Sequence, residues 1–262
     1  MIGVFDSGIG GLTVARALRE RLPQYDIVYF GDTARTPYGI KSPQTVVQYA
    51  VEDAEFLLRQ GAQILVIGCN TASSVATDAL RQRFDVPIFE VISPAVQEVT
   101  SWPKGKSVGI IGTRATINSK VYQEKIMAAR SDMKVYGVAC PLLVPLVEEG
   151  WLKSPETRKI VKKYLHPLKV RQVDMLILGC THYPLLKEII QTKIGKRVKV
   201  VDSSEALAGT VEDFLIHTPD VEKNLKKDGK HRFFVSDVTE HMQKLAKGIL
   251  SSVKQLEFVK LQ

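Results

Sequence analysis

Short apolar runs alternate with stretches of helical periodicity along most of the chain, the arrangement expected of parallel strands joined by crossover helices. Strands are predicted at 2–5 (IGVF), 27–30 (IVYF), 64–67 (ILVI) and 88–92 (IFEVI). Each is apolar on both faces, as a strand buried between helices must be. Helices are predicted over 11–22, stopped by Pro23, over 45–60, closed by Gly61, and from about 72 to 84.

The same scheme then recurs, with strands predicted at 108–111 (VGII), 135–138 (VYGV), 175–178 (MLIL) and 198–201 (VKVV). Val4 and Ile110, Val28 and Tyr136, Ile67 and Leu178, and Phe89 and Lys199 are separated by 106 to 111 positions. A nearly constant offset points to a duplicated unit. The expected fold is therefore α/β: two similar three-layer α/β/α domains with mostly parallel sheets, a pseudo-twofold relation, and an active site in the cleft between them. Residues 1–94 with about 208–262 are expected to form the first domain, and about 95–207 the second. The segment after Asp202 is mostly helical by pattern, and the strand-like RFFV at 232–235 fits neither repeat.

Composition adds limits. With 262 residues, 45% of them hydrophobic and 24% charged, the chain can bury a core without staples. It begins MIGVFDSGIGG, without a basic leader, and no apolar run reaches the ~18 residues of a membrane helix, so a cytoplasmic protein without a membrane partner is expected. Three scattered cysteines, Cys69, Cys140 and Cys180, read as reduced thiols. The net charge is +8, but the basic residues are interleaved with acids, and even the densest run, KNLKKDGKHR at 223–232, reads as a hydrated turn. Nucleic acid is not an expected partner.

Two cysteines stand at matched places, Cys69 in GCNTAS (68–73) and Cys180 in GCTHYP (179–184), each after a buried strand and before a helical segment. Ligands gather at the carboxyl ends of parallel strands, and a helix N-terminus there lowers a thiol pKa. Neither a Cys-x-x-Cys pair nor clustered zinc ligands accompany them, so no metal is expected. Cys140 reads as a small buried hydrophobe.

Around the pair lie further candidates. Asp6 and Ser7 follow the first strand in FDSGIGG, whose glycines let amides approach an anion; the spacing is not that of a dinucleotide site, and Asp6 also reads as a helix cap. GDTARTPYG at 31–39 brings Asp32, Tyr38 and Gly39, and GTRAT at 112–116 brings the hydroxyls of Thr113 and Thr116. His182, two residues beyond Cys180, suits proton exchange with that thiol. Glu148 or Glu149 in PLVEEG offers a further carboxylate.

Together FDSGIGG, GDTARTPYG, GCNTAS, CPLLVPLVEEG and LGCTHYPLL closely resemble the motifs of glutamate racemases, in the cofactor-independent aspartate/glutamate racemase superfamily, over residues 2 to about 203. The resemblance implies interconversion of L- and D-glutamate without pyridoxal phosphate or another cofactor, supplying D-glutamate for peptidoglycan, and a homodimer. It assigns Cys69 and Cys180 as catalytic, with Asp6 serving Cys69 and His182 serving Cys180. Ser7, Tyr38, Gly39, Asn70, Thr71 and Thr181 are placed around the substrate, and Glu148 matches an assisting glutamate. An aspartate or broad-specificity racemase is the nearest alternative, and a basic nucleic-acid- or gyrase-binding protein the alternative from another class.

Overall fold

A computed structural model describes residues 1–261. Among the described residues ten strands form two sheets: β1 (Ile2–Asp6), β2 (Ile27–Gly31), β3 (Ile64–Ile67), β4 (Ile88–Glu90), β5 (Ser107–Gly112), β6 (Lys134–Ala139), β7 (Met175–Gly179), β8 (Lys199–Asp202), β9 (His231–Val235) and β10 (Glu257–Phe258). The first sheet runs β10-β9-β2-β1-β3-β4 and the second β6-β5-β7-β8. Every pairing is parallel. Four strands of each sheet share one order, since β2-β1-β3-β4 and β6-β5-β7-β8 both place the unit's first strand between its second and third.

Both faces of each sheet are covered, which is why the strands read as unbroken apolar runs. Val4, Tyr29 and Val66 point into one core while Phe5, Phe30 and Ile67 point into another. In the second sheet Ile110 and Ile177 serve one core, and Ile111 and Leu178 the other. Burying a side chain of this size contributes about 1.5 to 3 kcal/mol, so the alternation holds each register firmly.

The repeat extends to helix capping. Ser42 caps the helix Pro43–Arg59 by accepting from the Thr45 amide, and Ser154 caps Pro155–Val170 by accepting from Thr157. In both helices proline occupies the first turn, where its missing N–H costs nothing. Past their ends the chain turns through positive φ, at Gly61 and at Gln172.

Two expected boundaries are corrected. β4 stops at Glu90 instead of running to 92, because the Glu90 carboxylate turns back to accept from the amides of Ile92 and Ser93 and starts the helix Ile92–Thr100. The third helix begins at Asn70, not about residue 72, with Cys69 itself as N-cap. The run at 232–235 lies outside both repeats: as β9 it pairs with β2 in register Ile27 to His231, and β10, unseen in the pattern, pairs outside it.

Candidate active site

In each sheet the chain reverses direction across the central strand, so a crevice opens at the carboxyl ends of β1 and β3, and of β5 and β7. Asp6 and Ser7 stand at the end of β1 and Cys69 just beyond β3; Thr113 and Cys180 hold the equivalent places in the second sheet. The two crevices face each other. Ser7, Tyr38, Gly39, Cys69, Asn70 and Thr71 from one half, and Thr113, Cys180, Thr181 and His182 from the other, line a single cavity of about 30 Å³.

Cys69 is 5% exposed. Its sulfur accepts from the Ala72 amide at 3.5 Å and its thiol donates to Ser7 Oγ at 3.5 Å. Burial, and next the negative charge of Asp6, push the Cys69 thiol up to about 12, against those two hydrogen bonds. The acidifying effect expected of a helix N-terminus is thus overridden here, because burial disfavours the thiolate more than one amide favours it. At neutral pH Cys69 carries its proton.

Cys180 has different company. Its sulfur lies 3.8 Å from His182 Nδ1, while His182 Nε2 lies 3.2 Å from Glu148 Oε1. Burial alone would lower the His182 pKa, but the hydrogen bonds to Cys180 and Glu148 outweigh it and raise the imidazole to about 10. Both ring nitrogens then carry protons, one aimed at the sulfur and one at the carboxylate.

A pH dependence follows from this shift. His182 binds its proton more tightly folded than unfolded, where 6.5 applies. Its contribution to stability is full below 6.5 and is lost as the pH rises through about 10. Urea unfolding of wild type and His182→Gln at pH 6 and pH 10 checks this: the wild-type advantage is expected to shrink at the higher pH, and an advantage that grows would refute the protonated assignment.

Asp6 lies behind the cavity and is fully buried. Oδ2 accepts from the amides of Gly8 and Gly11, and Oδ1 from Thr181 Oγ1 of the other half. These bonds, and the charge of His182, oppose a burial penalty that leaves the carboxyl above its ordinary range. The hydrogen bonds of Asp6 go to the turn and to Thr181, not to Cys69, so Asp6 meets that thiol through its charge. Thr13 crosses the same seam, donating to the Thr181 carbonyl.

Three hydroxyls form a second junction between the halves. Thr71 Oγ1 is 3.0 Å from Thr113 Oγ1 and 3.4 Å from Thr116 Oγ1, and Thr113 and Thr116 are 3.0 Å apart. Thr116 supports Thr71 and Thr113 without lining the cavity, and Glu148 likewise reaches it only through His182. Asn70 accepts from the Tyr122 hydroxyl at 2.6 Å, which fixes its amide.

Tyr38 lines the cavity with its hydroxyl turned away. It donates toward Asp32 Oδ2 at 2.5 Å and Asp53 Oδ2 at 2.9 Å. Arg35 ties the same two carboxylates together, at 2.5 Å and 3.0 Å, also pairs with Glu52, and stacks on the Tyr49 ring. Burial, with the charge of Asp32 second, raises the Asp53 carboxyl well above its ordinary value. This cluster fixes the turn Tyr38–Ile40 against the helix Pro43–Arg59. Sequence reasoning missed Asp53, although a carboxylate among Val46, Ala50, Ala54 and Leu57 on the buried helix face was the signal.

Comparison with known proteins places this arrangement in a class. Residues 12–211 match the family described as Asp/Glu/Hydantoin racemase, and the chain belongs to that family. Within it, the chain is 44% identical over 261 residues to a glutamate racemase of Syntrophus aciditrophicus, covering 99% of this chain and 96% of that protein. It superposes on the crystal structure of glutamate racemase isoform RacE1 from Bacillus anthracis with a TM-score of 0.93 at 35% identity, covering 100% of this chain and 97% of the other. The glutamate racemase of Francisella tularensis, solved in complex with D-glutamate, gives a TM-score of 0.91 at 37% identity with the same coverage.

Proposed function

We propose that the chain interconverts L- and D-glutamate by a two-base mechanism in which Cys69 and Cys180 act on opposite faces of the α-carbon. The observation that carries this reading is the pair of thiols at equivalent strand ends, from two halves, on one cavity. Racemisation needs a base on one side and an acid on the other at the same moment.

In one direction Cys180, beside His182, is the base and Cys69 the acid, and in the other direction the roles swap. The α-C–H bond breaks as an S–H bond forms on Cys180, and the electron pair left on carbon spreads into the α-carboxylate. Cys69 then gives its proton to the opposite face, so product leaves with the two thiols in exchanged states. Hydroxyl and amide donors on Ser7, Asn70, Thr71, Thr113 and Thr181 surround the developing charge and stabilise it. Thr116 and Asp6 position those donors, and Glu148 positions His182.

The cavity is small, about 30 Å³, and its lining residues are mostly buried, so the substrate reaches it when the halves part. Parting the halves and closing them again would exclude water at the reacting carbon and strengthen each polar contact. In this reading the two domains are 1–94 with about 208–262, and about 95–207. A homodimer, a cytoplasmic location and a role in supplying D-glutamate for peptidoglycan belong to the same reading. Among the described residues no helix is long and apolar enough to cross a membrane.

The test is exchange in D2O without added pyridoxal phosphate. Starting from either pure enantiomer, deuterium is expected at Cα and optical rotation is expected to decay to zero. Turnover of aspartate with none of glutamate would overturn the substrate assignment.

A further inference from the structure

A second cavity, of about 530 Å³, lies beside the small one and is also walled by both halves. Gly39 and Thr71 line both spaces. The partition between them is thin. A Cβ placed on Gly39 would stand 2.9 Å from Thr113 Cβ, so the turn of the first half already touches the second, and the Thr71 hydroxyl meets that of Thr113 at 3.0 Å. Separating these contacts joins the two spaces without disturbing either sheet.

The lining of the larger space is selective. It holds two cations, Lys41 from the first half and Arg114 from the second, and no carboxylate, over an apolar floor that includes Val46 and Val75. Its size is that of small-molecule sites, which run from about 300 to 1,000 Å³. Two positive charges in a concave, partly apolar space concentrate a small anion there, and methylenes between the anion's charged ends suit the floor.

We propose that this chamber is an antechamber for the substrate, a holding site in which Lys41 and Arg114 capture a small dicarboxylate anion before it passes between Gly39 and Thr113 to the two thiols. The proposal rests on the reading that the inner cavity is where the reaction occurs. It adds Lys41, which lies outside the motifs, and Arg114, which stands in GTRAT without a role until now, and gives the substrate a route.

Alkylation separates charge from route. Iodoacetate and iodoacetamide are nearly equal in size and differ in charge, so the ratio of their rates at Cys69 and Cys180 cancels the intrinsic reactivity of each thiol. Rates are followed by mass spectrometry at low ionic strength, about 20 mM, where screening is weak. For the Lys41→Gln/Arg114→Gln variant the iodoacetate-to-iodoacetamide ratio is expected to fall about fivefold, with kcat/KM for glutamate falling in the same direction. Ala115→Trp, which fills the chamber, is expected to slow both reagents alike.

The antechamber is overturned by an unchanged ratio in the double variant, by wild-type alkylation rates in Ala115→Trp, or by an unchanged kcat/KM in both. A different result identifies failure of the underlying reading. If Cys69→Ser and Cys180→Ser both racemise normally, the reaction lies elsewhere, while the alkylation ratios still report whether the chamber leads to the thiols.

Discussion

Cys69→Ser and Cys180→Ser are each expected to lower glutamate racemisation by about a hundred- to ten-thousandfold, the range carried by a positioned acid or base. Serine nearly preserves the volume, and at position 69 its hydroxyl can keep the contacts with Ser7 and the Ala72 amide, so folding should survive. What it loses is the thiol, a stronger acid than a hydroxyl in the same surroundings. The two variants should also differ from each other. Removing the sulfur at 180 deprives His182 of one of the two hydrogen bonds that raise it, and its titration, followed by NMR, should move down. The variant at 69 leaves those bonds in place. Polarimetry decides the main point: normal racemisation by either variant would end the two-base account.

Gly10→Ala is expected to be nearly as damaging by a different route. A Cβ at position 10 would stand 2.4 Å from His182 Nδ1, 2.5 Å from Cε1 and 2.7 Å from Thr181 Oγ1, all in the opposite half. The imidazole is buried and held at both nitrogens, so it cannot step aside as a flexible chain end would. Either the ring leaves Cys180 or the halves fail to close. A displacement of about 1 Å at reacting groups costs on the order of a hundredfold in rate. Gly11→Ala makes the comparison. Its Cβ would meet Asp6 Cβ at 2.3 Å and the Tyr29 hydroxyl at 3.1 Å, both within its own half, so it should lower the melting temperature and reach the site through Asp6, with the His182 ring left in place. Kinetics and thermal unfolding of the two variants separate the effects: a Gly10→Ala enzyme with wild-type turnover would show that His182 need not sit where it does.

Much of this was readable in the chain because parallel strands buried on both faces leave continuous apolar runs. Polar residues at their ends, such as Cys69 and Cys180, are then conspicuous. The repeated offset does the rest, aligning ILVIGC with LILGC and so pairing the thiols. What the pattern could not carry were contacts made across long stretches of chain. β9 pairs with β2 roughly two hundred positions away, and β10 is two residues long. Glu148 meets His182 across 34 positions, and which of two adjacent glutamates does so depends on a short helix, Leu143–Glu148. The resting state of Cys69 lay beyond the pattern for a related reason. Its helix N-terminus is a local feature legible in GCNTAS, whereas its burial and the charge of Asp6 come from the assembled fold.

The unequal surroundings of the two cysteines have a thermodynamic consequence. Cys69 answers to Ser7, Ala72 and the charge of Asp6, and Cys180 to His182 and Glu148. Mirror-image substrates nonetheless have equal free energies in water, so the overall equilibrium constant is unity whatever the protein does. By the Haldane relation kcat/KM must be the same in both directions. The asymmetry can therefore surface only as compensating differences in kcat and KM: the enantiomer with the lower KM must turn over more slowly, in the same ratio.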